Sequence, residues 1–203
     1  LAVLNPHLLP DGHPSQTLPG VGVAYKLVEA LDQAAGGQPT SPNLLDLAAL
    51  GIVADLALQV GDARYLLQLG LARLRGCRNA SRPGIQALLE LAEIDPANLN
   101  EAHIAFALAP RLNALGRLSD ANLAVELLTT ADAGKARLLA TQLEVLNNRR
   151  KLQTDQVFQG ALAQIERDPS LATSPAIVLA NPAWPAGVIG IVASRLVERF
   201  HKP

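Results

Sequence analysis

The sequence has 203 residues, 49% of them hydrophobic and 3% aromatic, and its formal net charge at pH 7 is −1. A chain of this length can bury a core as one large domain or as parts of two. The near-zero charge excludes a global basic field, so any nucleic-acid binding depends on local arginine clusters. The lone cysteine, Cys77, excludes an internal disulfide and an all-cysteine zinc site and fits a reducing cytoplasm.

The ends of the sequence carry no targeting or membrane signal. No apolar run approaches the roughly 20 residues of a membrane span, and the start is too short and too uncharged for a signal peptide. Leu1–Leu4 is typical of a buried strand, and Pro203 closely follows a helical pattern. We therefore expect an internal fragment of a longer cytoplasmic protein that does not contact a membrane.

Apolar residues at helical spacing predict most of the elements in the first 130 residues. Ser41 or Asn43 is a candidate cap for the second helix, and residues 100–109 are helical or extended before Pro110. The predicted helices cover residues 20–31, a segment ending at Leu50, and residues 66–75, 83–92 and 119–128.

The second half predicts a change of architecture. After a break at 129–134, a helix of about 30 residues runs to Ile165, and such a long charged helix typically joins two domains. Residues 168–175 form a linker, and Ala176–Ala180 is a continuous apolar run typical of a strand buried on both faces. A turn and a helix at 188–200 follow. This order predicts an α/β fold.

Asp55 is the first candidate for chemistry because it ends an apolar run that begins at Leu44. That position predicts a carboxylate near the core, and a buried ionised carboxylate requires a partner or a metal ion. Asp55 is therefore a metal-ligand candidate. The alternative is a capping or loop aspartate.

Two further segments combine arginine with glycine. Pro110–Arg117 includes Arg111, Asn113, Gly116 and Arg117, and arginine forks suit phosphate oxygens. The alternative is a helix junction with structural arginines.

The second segment, Trp184–Arg195, follows the predicted strand. It places Gly187 and Gly190 at a helix start, where backbone N–H groups attract anions, with Ser194 and Arg195 about two turns later. The alternative is a helix packed tightly on a sheet, with Gly190 providing clearance.

Taken together, five segments in this order resemble the RecJ family of single-stranded-DNA-specific exonucleases in the DHH phosphoesterase superfamily. The resemblance covers essentially the whole chain, and it rests on Leu18–Leu27, Leu47–Asp55, Ala109–Arg117, Leu146–Arg149 and Gly187–Leu196.

The resemblance implies a 5′→3′ exonuclease of DNA repair and recombination that degrades single-stranded DNA to mononucleotides with two Mn²⁺ or Mg²⁺ ions. It implies that Asp55 is a catalytic metal ligand. It also implies that the substrate-binding residues are Arg111, Asn113, Arg117, Asn147, Arg149, Gly187, Gly190, Ser194 and Arg195. The implied partners are single-stranded DNA with a 5′ end, a single-strand-binding protein and a helicase.

The resemblance also implies a domain layout. Residues 1–130 correspond to the C-terminal half of the DHH catalytic domain, 131–168 to a connector helix, and 169–203 to the beginning of the DHH-associated α/β domain that binds substrate. The family's Asp-x-Asp and Asp-His-His motifs are absent from the sequence, so we expect the fragment to be inactive alone. Pro185 stands where the family usually has histidine after tryptophan, which indicates altered substrate handling.

Two other functions remain open. One is a phosphoesterase of the same superfamily that acts on oligonucleotides or dinucleotides, which is disfavoured because residues 1–203 contain no glycine-rich motif of that group. The other is a non-catalytic scaffold that binds single strands and has lost its metal ligands. Metal-dependent release of mononucleotides by the full-length protein separates the exonuclease from the scaffold.

Overall fold

Helices make up nearly all of the regular structure. The computed structural model describes residues 3–76, 82–118 and 121–203, without the side chains of 115–118. Its ten α-helical segments are α1 (Gly20–Ala35), α2 (Leu45–Ala54), α3 (Gly61–Arg75), α4 (Pro83–Leu91), α5 (Glu101–His103), α6 (Ala109–Leu118), α7 (Asn122–Thr129), α8 (Ala133–Arg167), α9 (Ser170–Thr173) and α10 (Ala186–Phe200).

The expected α/β class is not confirmed, because no β-strand occurs in the part of the chain that the structure describes. Val3 and Leu4 are irregular, and Leu1 and Ala2 lie outside the described residues. Residues 177–180 are also irregular, although the Ile177 N–H donates to the Pro203 carbonyl over 2.8 Å. An apolar run is compatible with a strand, but a strand exists only when a neighbour completes the hydrogen-bonded ladder.

The predicted helices are present in the described residues, with different ends; residues 119–120, the start of the predicted 119–128 helix, lie outside them. The second helix continues past Leu50 to Ala54, and a short 3₁₀ turn, Ser41–Leu44, leads into it. Neither Ser41 nor Asn43 caps α2. Instead Asp32, near the end of α1, accepts the Thr40 and Ser41 N–H groups over 2.9 and 2.7 Å. The part of the break after α3 that covers 77–81 lies outside the described residues.

Close backbone approach shapes the first core, which α1–α4, residues 99–108, α7 and the start of α8 build from mostly aliphatic side chains. A Cβ atom on Gly70 of α3 would lie 2.2 Å from the Leu45 carbonyl oxygen of α2. A Cβ atom on Gly84 of α4 would lie 1.9 Å from the Leu127 carbonyl oxygen of α7. Both helix pairs therefore require glycine at the point of contact.

A π-helical turn, Ile104–Leu108, joins α5 to α6. Pro110 follows it closely and has no N–H to donate to the carbonyl one turn earlier. The Ala109 N–H donates to the Ile104 carbonyl, five residues earlier, as in π geometry. The pattern at 100–109 is therefore helical rather than extended, and α6 continues directly from the turn.

Helix α8 takes part in both hydrophobic cores. It has 35 residues and is about 50 Å long, and Asp132 caps its start by accepting the Gly134 and Lys135 N–H groups over 2.7 and 3.1 Å. Its first half packs in the first core through Leu139 and Leu143. Its second half packs against Val188 and Val192 of α10. A single helix thus bridges the two cores.

No helix in the described ranges is both long enough and apolar enough to cross a lipid bilayer. Helix α9 is a single turn of four residues within the expected linker at 168–175. The division into domains at 130 and 168 stays a prediction.

Candidate nucleic-acid and metal site

Asp55 lies immediately after the last residue of α2, where its N–H caps the helix by donating to the Gly51 carbonyl over 3.0 Å. Its side chain is exposed, so the expectation that it lies near the core is wrong. Helix α2 buries Ile52 and Val53 and ends at Ala54, which leaves the next side chain in solvent. An exposed carboxylate is open to an incoming cation.

The buried carboxylate of this segment is Asp46, which is 2% exposed. Arg82 donates from Nε to Asp46 Oδ2 over 3.1 Å and from Nη2 to the Asn43 carbonyl over 3.0 Å. The reasoning that a buried carboxylate needs a partner therefore applies to Asp46 instead of Asp55. This pair ties the start of α2 to the start of α4.

Asp55 belongs to no metal-binding cluster of acidic, histidine or cysteine side chains among the residues that the structure describes. Within the described ranges, no group of three or more such residues is placed to hold a metal ion. Asp55 is one hard oxygen donor of the kind that Mg²⁺ and Mn²⁺ prefer. A complete metal centre would take its remaining ligands from outside the described residues.

Arg111 faces α8 across the α6–α8 interface. Its Nε lies 2.5 Å from Glu144 Oε2, and its Nη1 donates to the Ala107 carbonyl in the π-helical turn over 2.7 Å. The Arg111 side chain is 13% exposed and that of Glu144 is 23% exposed. The guanidinium is thus held by protein groups on two of its nitrogens.

The other predicted residues of α6 are placed differently. Asn113 is exposed, two residues and about 200° around the helix from Arg111. The backbone of Arg117 belongs to α6, and its side chain lies outside the described residues. The structure therefore does not place Arg111 and Asn113 on one face.

On α8, Asn147 is buried and its Oδ1 accepts a hydrogen bond from Arg150 Nη2 over 2.9 Å. Arg149 is exposed. The resemblance points to Arg149, whereas the arginine that contacts Asn147 is Arg150. Helical spacing is the signal that could have found it, because residues three apart share a face whereas residues two apart do not.

At α10, the predicted residues lie on two levels of the helix. Gly187 is in the first turn, and Ser194 and Arg195 follow about 12 Å along the axis. The Ser194 hydroxyl donates back to the Gly190 carbonyl over 3.1 Å. A Cβ atom on Gly190 would meet nothing within 4 Å among the described residues, so no neighbour in this part of the fold requires glycine there for packing clearance.

Arg195 packs on α8 away from the helix start. Its Nη1 donates to Asp155 Oδ1 over 2.7 Å, and its guanidinium carbon lies 4.4 Å from the centroid of the Phe158 ring. The ion pair and the cation–π contact hold α10 against α8. A role in phosphate binding stays a prediction for Arg195 and for the other substrate residues.

Three helices bring these groups together. α8 packs against both α6 and α10, and α10 also contacts α6. Glu144, Asn147 and Arg150 follow one another at spacings of three residues along α8 between these neighbours. The motifs at 109–117, 146–149 and 187–196 thus meet around one helix, while Asp55 lies at the end of α2.

Similarity to known proteins covers the entire chain. No protein-family model matches the sequence. The chain is 42% identical over 215 residues to the single-stranded-DNA-specific exonuclease RecJ of Salmonella typhimurium, an alignment covering 100% of the chain, and 40% identical over 202 residues to that of Bacillus subtilis. The resemblance to RecJ is confirmed along the whole chain.

Solved RecJ structures match the fold as well as the sequence. RecJ of Thermus thermophilus in complex with Mn²⁺ has a TM-score of 0.84 at 37% identity, covering 98% of this chain and 28% of that one. A second RecJ exonuclease bound to manganese has a TM-score of 0.83 at 36% identity, covering 97% of this chain and 48% of that one. The chain spans 37% of the Salmonella relative and 24% of the Bacillus one.

Proposed function

We propose that this chain is part of a single-stranded-DNA-specific exonuclease that requires a divalent metal ion. The match to RecJ over the whole chain, in sequence and in fold, is the observation that carries the proposal. The finer features are 5′→3′ polarity, mononucleotide products and a role in repair and recombination. The proposed partners are a single-strand-binding protein and a helicase, and the proposed location is the cytoplasm.

Mn²⁺ and Mg²⁺ are the proposed metal ions, since RecJ neighbours were solved with each of them. The exposed carboxylate of Asp55 fits such an ion as one ligand. Bound divalent ions would activate a water molecule and neutralise the charge of the phosphodiester. Asp55 would hold its place at the end of α2 through its backbone contact with Gly51.

The arginines and the start of α10 would bind the DNA backbone. Arg149 presents an exposed cation to solvent, and Arg150 is oriented by Asn147. The first turn of α10, with Gly187, supplies backbone N–H groups and the positive end of the helix dipole. Cationic forks and helix starts suit phosphate oxygens, so these groups would position the strand without reading its bases.

The test uses the full-length protein and single-stranded or duplex DNA labelled at the 5′ or the 3′ end. We expect mononucleotides from the 5′ end of single strands, no products with a chelator, and recovery with Mn²⁺ or Mg²⁺. Asp55→Ala should abolish cleavage and leave single-strand affinity within about twofold, because a metal ligand acts in chemistry rather than in docking.

Two outcomes would change the proposal. Binding of single strands without metal-dependent cleavage by the unaltered protein would favour the scaffold. Normal turnover in Asp55→Ala would remove this residue from the metal centre. Glu198→Gln, which alters an exposed carboxylate on α10, is the matched control and should cleave normally.

A further inference from the structure

An apolar groove opens between α10 and the segment that precedes this helix. Its volume is about 660 Å³, and its walls are α10 on one side and the apolar run at 177–180 on the other. Ile189 and Val197 of α10 line the groove and are 47% and 45% exposed. Contiguous apolar side chains left open in this way mark a surface that another element covers.

The apolar run at 177–180 has the side-chain period of a β-strand. Ile177 and Leu179 are half-buried, and Leu179 packs against the second core. Val178, between them, is 80% exposed, and Ala180 is exposed as well. Side chains that alternate between two faces are typical of a strand. The run therefore has the pattern of a strand whose inner face lies on the helices.

The chain after α10 makes the first hydrogen bond of a parallel ladder with this run. The Ile177 N–H donates to the Pro203 carbonyl over 2.8 Å, and Lys202 Nζ donates to the Ser174 carbonyl over 3.1 Å. Pro203 has no N–H to return the bond to Ile177, as an antiparallel pair requires, and proline is tolerated at the first residue of a strand. Helix α10 thus has the position of the crossover helix between two parallel strands.

The next two groups of this ladder are open. In a parallel pair, the Ile177 carbonyl would accept from the second residue after Pro203, and the Leu179 N–H would donate to the carbonyl of that same residue. Neither group has a hydrogen-bond partner among the described residues. An unpaired strand edge is a template for another strand. A strand that continues from Pro203 would satisfy both groups and lie over the groove.

We infer that, in the full-length protein, the polypeptide that follows Pro203 forms a strand parallel to 177–180 and fills the groove with its inner side chains. The occupant belongs to the same protein because the first hydrogen bond of the ladder is intramolecular. The Salmonella relative contains further polypeptide, since this chain spans 37% of it. In this register, the first and third residues after Pro203 face the groove and are expected to be apolar.

The first measurement tests whether the groove is covered in the full-length protein. Val197→Cys and Glu198→Cys place a thiol at neighbouring exposed positions of α10, of which only Val197 lines the groove. Cysteine is small and apolar, so both variants should keep the melting temperature of the unaltered protein. We expect maleimide to label Val197→Cys about tenfold or more slowly than Glu198→Cys, because a covered thiol reacts only after local opening. Peptide-level mass spectrometry measures the two rates.

The second measurement identifies the covering segment. In the parallel register, Val178 and the second residue after Pro203 lie side by side on the outer face, with Cα atoms about 4.8 Å apart and within the range of a disulfide. Val178→Cys combined with a cysteine at that residue should therefore cross-link on mild oxidation. The matched control moves the second cysteine one residue further along, onto the opposite face, and should not cross-link.

Two outcomes would overturn the inference. One is equal labelling of Val197→Cys and Glu198→Cys, which would show an open groove. The other is slow labelling of Val197→Cys without the disulfide, which would assign the groove to another part of the protein or, if the protection fades on dilution, to a second copy. Neither readout involves DNA or metal, so absence of exonuclease activity would overturn the proposed function and leave this inference standing.

Discussion

Arg111 and Glu144 join α6 to α8 through a hydrogen-bonded ion pair, with 2.5 Å between Arg111 Nε and Glu144 Oε2. Both side chains are largely shielded from water, so removing one charge leaves the other poorly compensated. The same arginine satisfies the Ala107 carbonyl in the π-helical turn. One residue therefore links the π-helical turn before Pro110 to the long helix that bridges the cores.

Glu144→Gln should lower the free energy of unfolding by about 1–3 kcal/mol, because it weakens a charge-assisted hydrogen bond in a partly buried interface. Chemical denaturation followed by circular dichroism measures this change. The control is Glu126→Gln, which removes the exposed ion pair with Lys135 and should cost less than about 1 kcal/mol. Equal losses in the two variants would contradict a special role for the Arg111–Glu144 pair.

Gly84→Ala should destabilise the protein by several kcal/mol, since the new Cβ would lie 1.9 Å from the Leu127 carbonyl oxygen and α4 and α7 would have to separate. Gly190→Ala should be neutral or stabilising by up to about 1 kcal/mol, because its Cβ enters open space within a helix. Thermal unfolding compares the two variants.

The Gly190 variant also tests DNA binding. If a phosphate approaches the backbone at Gly190, then Gly190→Ala should weaken single-strand binding without lowering the melting temperature. Unchanged affinity would remove Gly190 from the substrate-binding residues.

Asp32 predicts a pH dependence of stability. Hydrogen bonds from the Ser41 N–H group and then the Thr40 N–H group hold the pKa of this carboxyl well below its usual value of 3.8. A folded-state pKa below the unfolded one means that the carboxylate stabilises the fold above pH 3.8 and that this contribution is lost as the pH falls further.

Asp32→Asn should therefore lower the melting temperature at neutral pH, and the difference from the unaltered protein should shrink as the pH falls below about 4. Melting curves between pH 7 and pH 3 test this. Glu198→Gln, a change at an exposed position without a hydrogen bond or ion pair to the described residues, should show no comparable difference. A constant difference across this range would show that Asp32 acts by shape alone.

Replacement by alanine should affect DNA binding at Arg149 and protein stability at Arg150. Arg149→Ala should leave stability unchanged and weaken single-strand binding, and the plot of log affinity against log salt should become shallower by about one unit if a phosphate contact is lost. Arg150→Ala should lower the free energy of unfolding by about 1–3 kcal/mol, because buried Asn147 loses a hydrogen-bond donor. Fluorescence anisotropy and chemical denaturation measure the two effects.

Each of these two expectations for the arginine variants can be contradicted by the same measurements. Loss of stability in Arg149→Ala would place this exposed side chain in the fold, and an unchanged salt dependence would remove it from the DNA path. Arg150→Ala with normal stability would indicate that Asn147 finds another partner.

The sequence by itself determined the helices and the resemblance to RecJ. Apolar residues at helical spacing are a local property of the chain, so α1, α3, α4, α7 and α8 follow from the sequence with shifts of a few residues at their ends. The five motifs could also be recognised in the sequence, because residue types and their spacing along the chain do not depend on the tertiary structure. The apolar run at 176–180 was less informative, since a strand depends on a neighbour that the run does not specify.

Only the tertiary structure decided which polar side chains are buried and with whom they pair. Asp46 lies in the first turn of α2 and Asp55 just after its last residue, yet Asp46 meets Arg82 inside the fold and Asp55 faces solvent. Arg111 meets Glu144, which is 33 residues away in sequence, because α6 crosses α8 at that point. Such pairs depend on how helices cross, and burial makes their energies large, so long-range packing rather than local pattern assigns each charge its partner.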